Sequence, residues 1–185
     1  MRIVHLADTH LGYRAYHRVT PDGVNLRERD VARAFREAVD RTIELRPELV
    51  VVAGDVFDRV RPSNAAITDA FAQFARLRAA LPDTPVVVIA GNHDTPRSAD
   101  VGNILRLFAA IPGLHVAHHE ARRFAFPELD AAVLALPHNA LAGPEPVAVE
   151  PDPAYGVNVC VAHAEVDDPR LRFGGEYGGA RLARD

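Results

Sequence analysis

The sequence predicts an α/β fold with a metal site at the ends of its strands. Short runs of apolar, mostly β-branched residues recur at Ile3–Leu6, Leu49–Ala53, Val86–Ala90 and Val157–Ala162. Such runs read as strands buried on both faces. Stretches of helical period separate the first three of them. Each run stops at carboxylate, amide or imidazole side chains, and in open α/β sheets ligands sit beyond the carboxyl ends of the strands.

Taken in order, Arg2–Ala7 is the first strand, followed by Asp8-Thr9-His10. If strand geometry persists there, Asp8 and His10 alternate about Thr9 and point the same way; alone, such a pair is more often a surface coincidence. Tyr16–Arg27 is polar and loop-like, with a turn at Pro21-Asp22-Gly23. A helix follows over Arg29–Arg46, its apolar stripe made of Val31, Phe35, Val39 and Ile43, and Pro47 ends it. The second strand runs into Gly54, Asp55 and Asp58. Ser63 is a candidate N-cap for a second helix, which buries Ile67, Phe71, Phe74, Leu77 and Leu81. The third strand meets Gly91-Asn92-His93-Asp94, residues that are poor strand formers crowded behind a glycine that lets the backbone turn close to a ligand.

A short helix over Asp100–Ala110 ends at Pro112-Gly113. Leu114–Ala117, Arg123–Phe126 and Ala131–Leu136 then read as a meander, the second half of a sandwich, with a hairpin turn at Pro127–Asp130. His115, His118 and His119 read as surface histidines, and His138 as a weaker site candidate. Asn139–Gly156 reads as a long irregular loop. The last strand, Val157–Ala162, delivers His163. The core spans 1–163, and the Gly- and Arg-rich tail 164–185 has no clear core element.

The chain has 185 residues, enough for one domain with a real core, and 48% of them are apolar. Its net charge of −4 supplies no bulk basic field for nucleic acid. The single cysteine, Cys160, excludes an intrachain disulfide, fits a reducing compartment and reads as a buried small residue. There is no charged-then-apolar leader and no run approaching the ~18 apolar residues of a membrane span. The expectation is a soluble, cytoplasmic protein.

Carboxylate, amide and imidazole donors suit manganese, iron or zinc, not a soft thiolate site. A carboxylate shared by two ions holds them ~3.5–4 Å apart, close enough for both to grip one phosphoryl group. Asp55 is the residue read as that bridge. His93 can then face the substrate and protonate the leaving oxygen, with Asp94 holding its ring.

Asp-x-His, then GDVFD (Gly54–Asp58), GNHD (Gly91–Asp94) and a strand-end histidine resemble the motifs of the calcineurin-like metallophosphoesterases. Within them, LADTHLGY (Leu6–Tyr13), GDVFDRVRPS (Gly54–Ser63) and GNHDTPRS (Gly91–Ser98) are most similar to the SbcD-type nucleases of double-strand-break repair. The resemblance runs from Met1 to about His163 and implies a four-layer α/β/β/α sandwich. It implies one divalent metal on Asp8, His10 and Asp55 and a second on Asp55, Asn92 and His163. Manganese is foremost, with iron, zinc or magnesium as alternatives, and His93 is the catalytic histidine. Asp58 has only a minor supporting role. DNA and an SbcC-type ATPase subunit are the implied partners.

The family carries a further Gly-His-x-His motif beyond the His163 position, and this sequence contains no Gly-His dipeptide. It also lacks the capping domain and the ATPase-docking segment. The expectation is therefore the front part of a nuclease, C-terminally incomplete, with three protein ligands per metal, weakened metal affinity, doubtful activity and an open edge that favours a homodimer. Two other readings remain: a phosphatase or phosphodiesterase acting on a small molecule or phosphoprotein, and an inactive remnant that binds a partner.

Overall fold

A computed structural model describes residues 1–98, 101–144, 147–166 and 181–182. Four strands, β1 (Ile3–Leu6), β2 (Leu49–Ala53), β3 (Val86–Ile89) and β4 (Leu114–Ala117), form one sheet in that order, and every neighbouring pair is parallel. Parallel neighbours need a crossover. Helix α1 (Leu26–Leu45) links β1 to β2, α2 (Asn64–Ala80) links β2 to β3, and a 3₁₀ segment at Ile104–Ala110 precedes β4.

Side chains alternate across this sheet as the pleat requires. Val50, Val52, Val86, Val88, Leu114 and Val116 pack with Phe35, Val39, Phe74 and Leu77 of the helices. Leu49, Val51, Ala53, Val87 and Ile89 face the other way, onto Phe126, Val133, Ala135 and Val161. Complete burial of each such aliphatic side chain contributes about 1.5–3 kcal/mol. The second layer is a three-stranded sheet of β5 (Arg122–Phe126), β6 (Ala131–Leu136) and β7 (Val157–Ala162), antiparallel between β5 and β6 and parallel between β6 and β7. The protein is thus an α/β sandwich, with α1 and α2 on one face of the parallel sheet and the smaller sheet on the other. Among the described residues no helix is long and apolar enough to cross a membrane.

The helices begin where their caps allow. Asn25 accepts from the N–H groups of Arg27 and Glu28, so α1 starts before the expected Arg29. Ser63 caps α2 as expected, accepting from Ala66 N at 3.2 Å. Buried Glu28 ties these starts together, accepting from Arg14 Nε at 2.7 Å and Ser63 Oγ at 3.2 Å. Phe71, expected in the buried face of α2, is 38% exposed.

Several expectations for the second half are corrected. Leu114–Ala117 does not belong to the meander: it completes the parallel sheet beside β3. Of the helix expected over Asp100–Ala110, Asp100 lies outside the described residues and Ile104–Ala110 is a 3₁₀ segment. The hairpin turn expected at Pro127–Asp130 does join antiparallel β5 and β6, and it is built as a 3₁₀ turn with Asp130 left-handed. His115 is half-buried, its ring 5.3 Å from that of Phe124 and 5.0 Å from that of Phe126; His118 is also half-buried, and His119 alone of the three is exposed. Cys160 is exposed, because it lies with Asn158 on the outward face of β7. The long loop after β6 begins with a short helix, α3 (His138–Ala142). Of the tail, only 164–166 and 181–182 are described; Glu165–Val166 and Arg181–Leu182 form a short parallel ladder, and the remainder lies outside the described residues.

Candidate metal centre

Past β1 and β2 the chain does not stay extended. Two loops run side by side, joined by Asp8 N to Gly54 O (3.2 Å), His10 N to Asp55 O (2.9 Å) and Leu11 N to Val56 O (2.9 Å). Within them Asp8, His10 and Asp55 take φ of 54°, 43° and 51°. Left-handed backbone at non-glycine residues costs on the order of 1–3 kcal/mol each, and it persists where the surrounding structure over-determines it. Here the loop-to-loop ladder does so. The alternation expected for Asp8 and His10 is therefore replaced by two backbone reversals, and the side chains enter two different clusters. One cluster is Asp8, Asp55 and His163; the other is His10, Asp58 and His93, and within each the candidate ligand atoms lie within 4.8 Å of one another.

Asp55 stands between the two clusters. Its Oδ2 lies 3.4 Å from His163 Nε2 and 3.6 Å from His10 Nε2, is fully buried and has no hydrogen-bond partner. Its Oδ1 accepts from His93 N at 2.9 Å. Burial pushes its carboxyl up, but the His163 ring and the His93 N–H outweigh it and hold the group below the ordinary carboxylate range. His163 is fixed by Nδ1, 2.8 Å from the Ala53 carbonyl, and its Nε2 is 3.0 Å from Asn92 Oδ1. The Asp55 carboxylate pushes the His163 imidazole up to about 9. Close packing leaves no room for a side chain at Gly54, whose φ is 88°: a Cβ there would stand 2.6 Å from the His163 ring.

These residues fit divalent metals. A buried carboxylate oxygen that faces two imidazoles without an aligned hydrogen bond, beside a second carboxylate, makes a set of oxygen and nitrogen donors that fits a divalent cation. Asp8, His10, Asp55, Asn92 and His163 all converge as expected, although His10 groups with Asp58 and His93 and Asp8 groups with His163. Asp58 is closer to the chemistry than its sequence position suggested, with Oδ1 3.8 Å from His10 Nδ1. Its spacing of three residues from Asp55 on the same loop was the available signal.

His93 and His10 stack edge to face with ring centroids 4.8 Å apart. His93 Nδ1 lies 2.8 Å from the Asp58 carbonyl. A proton held there leaves Nε2 as the exchanging position. Asp94 does not take the part expected of it. It is completely buried, and its carboxylate accepts from Val56 N (3.1 Å), Phe57 N (2.9 Å) and Gly91 N (3.1 Å). Burial pushes its carboxyl up to about 7 against those donors. Asp94 locks the Asp55 loop to the Gly91 loop. His138, the weaker candidate, lies close enough for His163 and Asp55 to perturb it, and its Nδ1 is buried without a partner.

The calcineurin-like phosphoesterase family model matches residues 1–167. The chain belongs to the calcineurin-like phosphoesterase family. This is a family of enzymes that use divalent metals, in keeping with the convergence on Asp55. The chain is also similar to the "DNA double-strand break repair protein Mre11" of Methanococcus maripaludis, 37% identical over 113 residues that make up 61% of this chain and 28% of that protein. The protein of the same name from Thermoplasma acidophilum is 35% identical over 127 residues, 69% of this chain and 31% of that protein. That from Methanocaldococcus jannaschii is 35% identical over 97 residues, 52% and 24% of the two chains. The chain spans about a quarter to a third of the length of these relatives.

Proposed function

We propose that this chain is the phosphodiesterase core of a DNA nuclease of the Mre11 and SbcD type. The observation that carries the proposal is Asp55 Oδ2, buried, without a hydrogen-bond donor and flanked by His10 and His163. The similarity to double-strand break repair proteins supports DNA as substrate.

Asp55 would contribute to two metal positions, one shared with Asp8, His163 and Asn92 and the other with His10 and Asp58. When bound, the two ions polarise the phosphoryl group and offset charge on the attacking and leaving oxygens. Manganese is the ion we assign first, on the family resemblance; the oxygen and nitrogen donors equally suit iron or zinc. His93, with Nδ1 fixed by the Asp58 carbonyl, delivers a proton from Nε2 to the leaving oxygen. Asp94 positions Asp55 and His93 through the backbone. An SbcC-type ATPase is the partner this reading implies, and a cytoplasmic location follows from it.

Hydrolysis of double- and single-stranded DNA with Mn²⁺, beside bis-p-nitrophenyl phosphate, tests the proposal. Metal-dependent cleavage of both DNA and the small ester is expected. Cleavage of the ester but never of DNA would favour the second reading, a small-molecule phosphodiesterase, which the net charge of −4 supports.

A further inference from the structure

Three imidazoles stand around Asp55, and each has an oxygen behind its Nδ1. His163 Nδ1 lies 2.8 Å from the Ala53 carbonyl, and His93 Nδ1 lies 2.8 Å from the Asp58 carbonyl. Behind His10 the oxygen belongs to a carboxylate: Nδ1 lies 3.8 Å from Asp58 Oδ1. On the other side of the ring, His10 Nε2 faces Asp55 Oδ2 at 3.6 Å, as His163 Nε2 does at 3.4 Å. The two nitrogens of an imidazole point apart, so His10 can share an ion with Asp55 only through Nε2. Its Nδ1 is then turned to Asp58.

Asp58 is fixed in that place by its own polar groups. Its N–H donates to Leu11 O at 3.1 Å, which pins residue 58 to the loop that carries His10. Its Oδ2 accepts from Arg59 Nε and Nη2, each at 3.3 Å, so Oδ1 is the oxygen left for His10. The Asp58 side chain is 13% exposed, whereas that of His10 is 25% exposed, with the His93 ring against it edge to face. The more open ring therefore leans on the more enclosed carboxylate. A histidine that ligates a metal commonly donates its other N–H to a carboxylate or a carbonyl, which fixes the tautomer and ring orientation and raises the basicity of the ligating nitrogen.

We propose that Asp58 is the positioning residue of His10: its carboxylate accepts a hydrogen bond from Nδ1–H and so turns the lone pair of Nε2 to the ion shared with Asp55. The inference rests on the metal-centre reading. It specifies that Asp58 takes part in the His10 position through the imidazole, not as a donor to the ion. At 3.8 Å the pair is longer than a hydrogen bond; ligation at Nε2 makes the Nδ1 proton more acidic and draws the two together. The two metal positions are then unlike. The imidazole of His163 is backed by a neutral carbonyl and that of His10 by a charge, so loss of the Asp58 carboxylate weakens the His10 position selectively.

The test is ring-nitrogen NMR of isotope-labelled histidines with Zn²⁺, a diamagnetic probe, beside calorimetry with Mn²⁺. The proteins are the full chain, Asp58→Ala and Asp58→Asn, with His10 assigned by the signal missing from His10→Gln. In the full chain Zn²⁺ should bind His10 at Nε2 while Nδ1 keeps its proton. Asp58→Ala should lose this preference between the nitrogens and bind Mn²⁺ roughly 10- to 100-fold more weakly at one site. Asp58→Asn, which keeps a neutral oxygen acceptor, should keep the preference and lie between in affinity. Zn²⁺ bound at His10 Nδ1 in the full chain would overturn the inference, and this reading needs no variant to fold. So would an Asp58→Ala protein with the ring spectrum and affinity of the full chain. A failure of the metal-centre reading appears differently, as Zn²⁺ that leaves the rings of His10 and His163 unmoved in the full chain, and it would overturn the inference with it.

Discussion

Gly91 lies directly against Asp55: a Cβ at position 91 would stand 2.5 Å from Asp55 N and overlap its carboxylate. The glycine of the third strand end is thus part of the wall that fixes the candidate bridging carboxylate of the second. Gly91→Ala should displace Asp55 and weaken Mn²⁺ binding by at least about tenfold, a shift of about 1.4 kcal/mol. Calorimetry beside a circular dichroism spectrum checks this. A variant with native fold and native affinity would contradict it.

Asp94 holds three backbone N–H groups in a fully buried place. Removing the acceptor leaves buried donors unsatisfied, which costs about 1–3 kcal/mol for each such group, not additively. Asp94→Ala should lose roughly 2–4 kcal/mol of unfolding free energy, read from urea denaturation. Loss of metal binding should accompany it, since Val56 and Phe57 directly follow Asp55.

His115 gives the fold a dependence on pH away from the metal centre. Burial against Phe124 and Phe126 and the charge of Arg78 lower its pKa, while Glu128 opposes them. The folded protein therefore binds this proton less readily than the unfolded chain, whose histidine titrates near about 6.5. The stabilising contribution is complete above that pH and is lost as pH falls through it towards the lower folded value. Asp94 and His163, whose pKa values are raised, act in the opposite sense, so the prediction is a difference: from pH 8 to pH 5 the urea midpoint of His115→Phe should fall less, or rise more, than that of the parent. Equal slopes would remove His115 as a cause.

Cys160 sits on the outward face of β7 and should react with a maleimide in the native protein. Mass spectrometry without denaturant should find one label, and Mn²⁺ binding should be unchanged by it. Labelling only after unfolding would contradict the placement of β7.

The strands and both long helices were legible because β-branched runs, proline stops and side-chain caps act locally. The five candidate ligands were legible because each follows a strand end. Their grouping was not, since non-glycine left-handed turns at Asp8, His10 and Asp55 leave no sequence signal. Asp94 follows His93 in sequence, yet its carboxylate turns to the backbone of Val56, Phe57 and Gly91. A run as short as Leu114–Ala117 carries no information about which sheet it joins. Cys160 looked buried because its neighbours are valines, but successive residues of a strand face opposite sides.

We propose that Asp55 serves two metal positions at once. Calorimetric titration with Mn²⁺ of the full chain, Asp55→Ala, His163→Ala and His10→Ala tests it most directly. The expected result is two sites in the full chain, one lost or weakened in each histidine variant and both lost in Asp55→Ala. An Asp55→Ala protein that is folded and keeps one site at full affinity would contradict the bridge.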